Sequence, residues 1–194
     1  MVASVHQVLA VLKPRDAKPA GVHVNRARRR DASGFEPRAL STNGYLGLLG
    51  ETGAGMNDLE WIGHANEHLP ANLAALTARF VEGSRDEQWL RVSYEPGPTA
   101  FNFTALSGGS MAEVLDQAAT HCGSFVTGHP CPTTTMTVTI LRPGRAKRYL
   151  ATGRAMKVTG VTALLTADLT DDQGHHIASA TLVSHLIKDL SRLC

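Results

Sequence analysis

Three cysteines in 194 residues, Cys122, Cys131 and Cys194, are an odd number at irregular spacing. That is no basis for a disulfide framework, and it makes a reducing compartment, the cytoplasm, the expected location. No apolar run reaches the length of a membrane span. Met1 to Leu12 holds a short apolar stretch with no basic region ahead of it and no clear small-residue cleavage site, so a secretory signal has little support. An Arg-rich, acid-poor start also fits a transit peptide, but an untethered tail is the simpler expectation. Metal-ligand spacing is missing as well. His121, Cys122, His129 and Cys131 are irregularly placed where a zinc site would repeat closer pairs. His64 and His68 lie four apart, but Pro70 interrupts their surroundings and no third ligand is evident, so no metal is expected.

The charge is unevenly shared. Residues 1–40 carry eight bases and three acids, a net of +5, which leaves −3 for the rest of a chain whose total is +2. The run Arg26-Ala-Arg-Arg-Arg30 could touch nucleic acid, but it lacks interleaved aromatics and reads as part of a solvated, poorly ordered tail over 1–40. Neither nucleic acid nor membrane is therefore expected as a partner. With 43% hydrophobic residues, the remainder suits one domain with a sizeable core.

Residues 41–86 read as an N-terminal helical segment. Leu69, Leu73, Leu76 and Phe80 are spaced four, three and four apart, which predicts an amphipathic helix with Pro70 in its first turn and Gly83 at its end. From Trp89 onward the pattern changes to alternation, first in Leu90, Val92 and Tyr94, then in Thr133 to Leu141, Tyr149 to Thr159, Val161 to Thr170 and His175 to Leu186. These strands are expected to follow one another through short turns, among them the basic turn Arg142 to Arg148 and the turn Asp171 to Gly174. Among them lies Ser107 to Thr120, where Gly108-Gly109 opens a mostly apolar helix and leaves its first amides free for an anion or a polarised carbonyl. Gly123 to Pro132 is expected as loop. The result is an α+β antiparallel pattern around one principal helix.

Asp116 is the acid within that helix. Counting 100° per residue from Met111, it falls at about 140°, on the border of the apolar face of Ala112, Val114, Leu115, Ala118, Ala119 and Cys122. It is therefore either a carboxylate on the rim of a buried face or a member of a solvated face with Glu113, Gln117 and Thr120.

Gly108-Gly109, Asp116 seven residues later, the Thr-rich strand ending in Leu141-Arg-Pro143, the turn Asp172-Gln-Gly174 and Ala178-Ser-Ala-Thr181 occur in that order. In their joint order, over Trp89 to Ile187, they resemble the hotdog-fold acyl-CoA thioesterases, most closely the PaaI-like branch. The resemblance implies a hotdog domain over 87–190, an antiparallel sheet wrapped around one central helix, in homodimers or homotetramers with active sites between subunits. It implies hydrolysis of an acyl-CoA thioester without a separate cofactor, coenzyme A being part of the substrate. Asp116 would be general base or nucleophile, amides near Gly109 the oxyanion hole, Thr134 or Thr135 the hydroxyl that positions water, and Asn102 an assisting amide. Ser107 stands where close relatives carry His. Arg142, Arg145, Lys147 and Arg148 either meet the coenzyme A phosphates or form a solvated turn. The alternatives are a non-catalytic acyl-CoA or lipid-binding hotdog protein and, further off, a hydratase or dehydratase.

Overall fold

A computed structural model describes residues 48–49, 53 and 55–189, all within the second of the chain's two units, Pro37–Cys194. The basic tail over 1–40 and Cys194 lie outside the described residues.

Helix α1 (Asp58–Glu67) starts where Asn57 and Glu60 cap each other. The Asn57 side chain accepts from the Glu60 amide at 3.0 Å, and the Glu60 carboxylate accepts from the Asn57 amide at 2.9 Å. Two otherwise orphaned donors are satisfied and the helix is nucleated at a defined residue. It buries Trp61, Ile62 and Ala65. A five-residue helix, α2 (Ala71–Ala75), follows from Pro70 and buries Leu73.

The long helix expected through Phe80 does not form. Its last part is instead strand β1 (Arg79–Ser84), paired antiparallel with β2 (Trp89–Tyr94), and Gly83 lies inside that strand. Leu69, Leu73, Leu76 and Phe80 do all turn inward, but from the link before α2, from α2, from its C-cap and from β1 in turn. Thr77 at φ 53° marks the break between α2 and the strand. The sheet thus begins at Arg79, within the segment expected to be helical.

A two-residue hairpin, β3 (Phe101–Asn102) with β4 (Ala105–Leu106), leads into α3 (Gly108–Thr127). Strands β5 (Thr133–Ile140), β6 (Tyr149–Val158), β7 (Thr162–Asp171) and β8 (His176–His185) complete a six-stranded antiparallel sheet of order β1-β2-β6-β7-β8-β5. β5 and β6 are therefore not neighbours. The basic segment expected as a hairpin turn crosses from one edge strand, β5, to the middle of the sheet. It is anchored on the way where the Leu106 amide donates to the Gly144 carbonyl at 2.8 Å.

Helix α3 lies against β6, β7, β2 and β8. Its Val114, Leu115, Ala118, Ala119 and Cys122 are fully buried against Leu90, Val92, Ala151, Leu165, Ala167 and Leu182. Each fully buried Val or Leu among them contributes about 1.5–3 kcal/mol, and each Ala about 0.8 kcal/mol. The helix can sit this low because β6 has a glycine beneath it. A Cβ at Gly153 would lie 2.3 Å from the Ala118 carbonyl oxygen and 2.8 Å from the Cys122 Cβ. The helix also runs past the loop expected from Gly123, burying Gly123, Ser124 and Phe125 before Gly128 ends it at φ 69° in the left-handed conformation. Phe125 tilts against Trp61 with centroids 4.8 Å apart, and Trp61 meets Phe80 edge-on at 5.8 Å, joining α1, β1 and α3 in one core.

Candidate active site

Ser107 caps α3. Its Oγ accepts from the Ser110 amide at 3.1 Å, and the Ser110 hydroxyl donates to the Ala100 carbonyl at 3.0 Å. The Ser107 hydroxyl, 2.8 Å from Ser110 Oγ, is thus engaged within the helix start. The amides of Ser110 and Met111 find acceptors on Ser107. Those of Gly108 and Gly109, both exposed, have no acceptor among the described residues. A Cβ at Gly109 would meet nothing nearer than Ser107 Oγ at 4.0 Å. The open end of the helix therefore presents two N–H donors at the positive pole of its dipole.

Two turns further on, Asp116 is half-buried. The hydroxyl of Thr133, at the start of β5, donates to Asp116 Oδ1 at 2.5 Å. The resemblance had pointed to Thr134 or Thr135 for a hydroxyl at the site, and neither of these bonds the carboxylate among the described residues. The register with β8 shows why, since Thr133 pairs with Ser184 and Thr135 with the adjacent Val183, leaving Thr134 as the extra residue of a bulge. A bulge shifts the period-2 alternation by one, so Thr133 takes the inner face shared by Met136 and Val138. Thr134 donates instead to the Val183 carbonyl at 2.9 Å, and Thr135 is exposed.

Asp116 and Thr133 stand at the wall of a cleft of about 500 Å³, also lined by Leu49, Thr120, His121, Ser124, Pro130, Cys131, Pro132 and Ile187. Its walls are mostly apolar, with the carboxylate as the charged group. Of the ligand-type residues considered from the sequence, His121 and Cys131 face this cleft, whereas Cys122 packs under β6 with its thiol against the Gln88 carbonyl. Burial pushes the Cys122 thiol up to about 12 and the His121 imidazole down to about 4. A carbonyl only accepts, so the His121 Nδ1 that lies 2.7 Å from the Gln117 carbonyl carries the hydrogen. Tyr94, on β2, is fully buried with its hydroxyl unpartnered among the described residues. Burial first, and then the Asp116 and Glu113 carboxylates, push that phenol upward.

The other expected residues are dispersed. Asn102 is exposed on β3, beside Phe103 at the hairpin tip. Arg148 pairs with Glu95 at 2.6 Å, while Arg142, Arg145 and Lys147 are exposed. Their segment lies at the Gly108 end of α3, where a Gly108 Cβ would touch Ile140 at 3.3 Å. Thr133 and His121 are the cleft residues to which sequence reasoning assigned no role at this site. The bulge that selects Thr133 has no local sequence signal, and the Phe80 that His121 packs against sits on a strand in a stretch whose spacing reads as helix.

Residues 103–178 match the thioesterase superfamily, a span that holds Gly108, Gly109, Asp116 and Thr133. No curated protein matches the sequence. Among solved structures the fold is similar to the Escherichia coli PaaI protein of the phenylacetic acid degradation operon, at 21% identity and TM-score 0.59, covering 65% of this chain and 91% of that one. It is similar also to zebrafish thioesterase superfamily member 2, at 21% identity and TM-score 0.57, covering 66% and 97%. A thioesterase protein from Streptococcus pneumoniae solved with coenzyme A shares 15% identity at TM-score 0.53, covering 59% and 90%. The sheet wrapped around the long helix is a hotdog fold, similar to that of PaaI and related thioesterases, and the match to the thioesterase superfamily lies within it.

Proposed function

We propose that this protein hydrolyses an acyl-CoA thioester to the free acid and coenzyme A. The observation that carries the reading is the Asp116 carboxylate, fixed by Thr133 at the wall of a largely apolar cleft. With Oδ1 held by the threonine, Oδ2 is oriented to take a proton from water, whose oxygen attacks the thioester carbon. The carbonyl oxygen gains negative charge as the C–O bond forms and is stabilised by the amides of Gly108 and Gly109. Collapse breaks the C–S bond, and the leaving thiolate receives the proton held by Asp116. Direct attack by Asp116 through a mixed anhydride, resolved by water, uses the same groups.

One chain cannot supply both halves to one carbonyl. Gly109 and Asp116 are seven residues apart on one helix, a rise of roughly 10 Å at 1.5 Å per residue, whereas base and oxyanion donors each act at about 3 Å. The reading therefore requires a homodimer or homotetramer in which the Gly109 end of one subunit meets Asp116 of another. The exposed Arg142, Arg145 and Lys147, near the same helix end, would face the coenzyme A phosphates. Asn102 and Ser107 have weaker parts, the first because it lies on an exposed hairpin. The hydroxyl of Ser107 is occupied in capping, so the amides alone would polarise the carbonyl.

That capping role favours one rival, a protein that binds acyl-CoA without turning it over. Thiol release from a panel of acyl-CoA esters, with Asp116→Ala and Asp116→Asn alongside, separates the two. Release abolished in both variants supports hydrolysis. Thermal stabilisation by the esters without release favours the binding protein, and equal release in all three removes Asp116 from the chemistry.

A further inference from the structure

The last turn of α1 brings together three metal-ligating side chains that play no part in the cleft. His64, Glu67 and His68 place one ligand atom each within 4.8 Å of one another, and both histidines are half-buried while Glu67 is exposed. The sequence offers His64 and His68 at a helical spacing of four. The structure ends α1 at Glu67 with His68 as the capping residue, its amide still donating to the His64 and Ala65 carbonyls, and the side chain of Glu67, between the two histidines in the chain, lies in the same group.

Three features hold this turn ready for a cation. First, the helix is fixed at its start by the reciprocal Asn57–Glu60 cap and along its length by buried Trp61, Ile62 and Ala65. Second, Asn66 sits within the cluster's own turn and clasps β1 in both directions, its amide donating to the Phe80 carbonyl at 2.8 Å and its oxygen accepting from the Phe80 N–H at 2.9 Å. The backbone carrying the ligands is thereby tied to the sheet. Third, the imidazole of His68 is oriented. Its Nδ1 lies 3.0 Å from the His64 carbonyl, and because a carbonyl only accepts, Nδ1 carries the hydrogen and the neutral ring keeps its lone pair on Nε2. A backbone carbonyl that fixes the tautomer in this way is the usual outer support of a ligating histidine. The two rings stack with centroids 4.3 Å apart and planes 25° apart, which places both on the same side of the helix end.

We propose that His64, Glu67 and His68 bind a divalent transition metal of the zinc type, with two imidazole nitrogens and one carboxylate oxygen as protein ligands. Water completes a four-coordinate shell, since two nitrogens and one oxygen at about 2.0–2.2 Å suit zinc and leave a fourth position open. Small side-chain rotations bring the three atoms from their present spread to that distance. The bound ion would clamp the end of α1 just before Pro70 and α2. The site is separate from the proposed thioester chemistry and does not depend on it.

Calorimetric titration of the tag-free, chelator-stripped full-length protein with zinc chloride provides the test, together with the visible spectrum of the cobalt(II)-substituted protein. One saturable site per chain is expected. His64→Gln and His68→Gln, which keep bulk and polarity, should each weaken it at least tenfold and abolish the cobalt bands. Glu67→Gln, exposed and isosteric, should weaken it several-fold with an unchanged far-ultraviolet circular dichroism spectrum, and His129→Gln and His185→Gln should leave affinity intact. Absence of saturable binding overturns the proposal. So does affinity unaltered in both His64→Gln and His68→Gln, which would place the metal elsewhere, for example at the cysteines.

Discussion

Replacing Thr133 by Val keeps the shape of the side chain and removes the hydroxyl that, among the described residues, bonds the Asp116 carboxylate. The structure assigns this hydroxyl a charge-assisted bond at 2.5 Å to Oδ1, at the side of the cleft. Hydrogen bonds to charged groups are worth about 1.5–3 kcal/mol, and each 1.36 kcal/mol of lost transition-state stabilisation is tenfold in rate. If the bond orients the carboxylate in the transition state, Thr133→Val should lower kcat/KM by roughly 10- to 100-fold. The matched control is Thr134→Val. Its hydroxyl binds the Val183 carbonyl on the other face, and its loss should change kcat/KM less than about twofold, as expected for a surface side chain remote from the chemistry. Initial rates of thiol release over a substrate series give kcat and KM separately for both variants, and melting temperatures check that both remain folded. A larger loss in Thr134→Val than in Thr133→Val would refute the bulged register as the basis of the site.

Gly153→Ala should lower the melting temperature by about 10 °C, from an overpacking cost of about 3 kcal/mol for a Cβ placed 2.3 Å from the Ala118 carbonyl; calorimetry showing a shift below about 2 °C would mean that α3 is free to move off β6. His121 is held near pKa 4 in the fold against 6.5 in the unfolded chain. The unfolded state therefore binds more protons between these values, and the stability that neutral His121 supplies is complete above pH 6.5 and is lost as pH falls towards 4. Unfolding free energies from urea titrations across that window should fall for the wild type by on the order of 2 kcal/mol, discounted for the ring edge that reaches the cleft, and should fall less for His121→Asn. Arg145→Glu should raise KM for acyl-CoA severalfold while leaving the pantetheine thioester unaffected, and Arg148→Ala, already paired with Glu95, should do less; equal effects on both substrates would separate the basic segment from phosphate recognition.

What was legible in the sequence follows the range of the interactions that decide it. The central helix and the four strands after it are set by periodicity within one element, and Leu115, Ala118, Leu165 and Leu169 are buried as their spacing requires. The region from Asp58 to Ser84 failed because the same four-and-three spacing of Leu69, Leu73, Leu76 and Phe80 is met by one short helix, the links on either side of it and a strand, all facing one core. Periodicity reports which side chains turn inward, but not whether the backbone between them breaks at Pro70 and Thr77. Pairing of Phe80 with Val92 and the clasp by Asn66 decide it, and both are long-range. Likewise β5 and β6 read as a hairpin because they are consecutive, although β8 takes the place beside β5.

The site shows the same division at finer scale. Asp116 was placed on the rim of the helix by counting alone, with either solvent or a cleft beyond it. The choice between them is made by Pro130, Cys131 and Pro132, which follow the helix and wall in the space in front of the acid. In the Thr-rich strand, simple alternation puts Thr134 on the face of Met136 and Val138, and one inserted residue hands that place to Thr133. Threonine at 133, 134 and 135 means that the composition of the strand is indifferent to the slip, while the chemistry is not. Only the hydroxyl on the inner side of the bulge reaches the carboxylate. A register fixed by β8, through Ser184 opposite Thr133 and Val183 opposite Thr135, therefore determines which of three identical residues can act with Asp116.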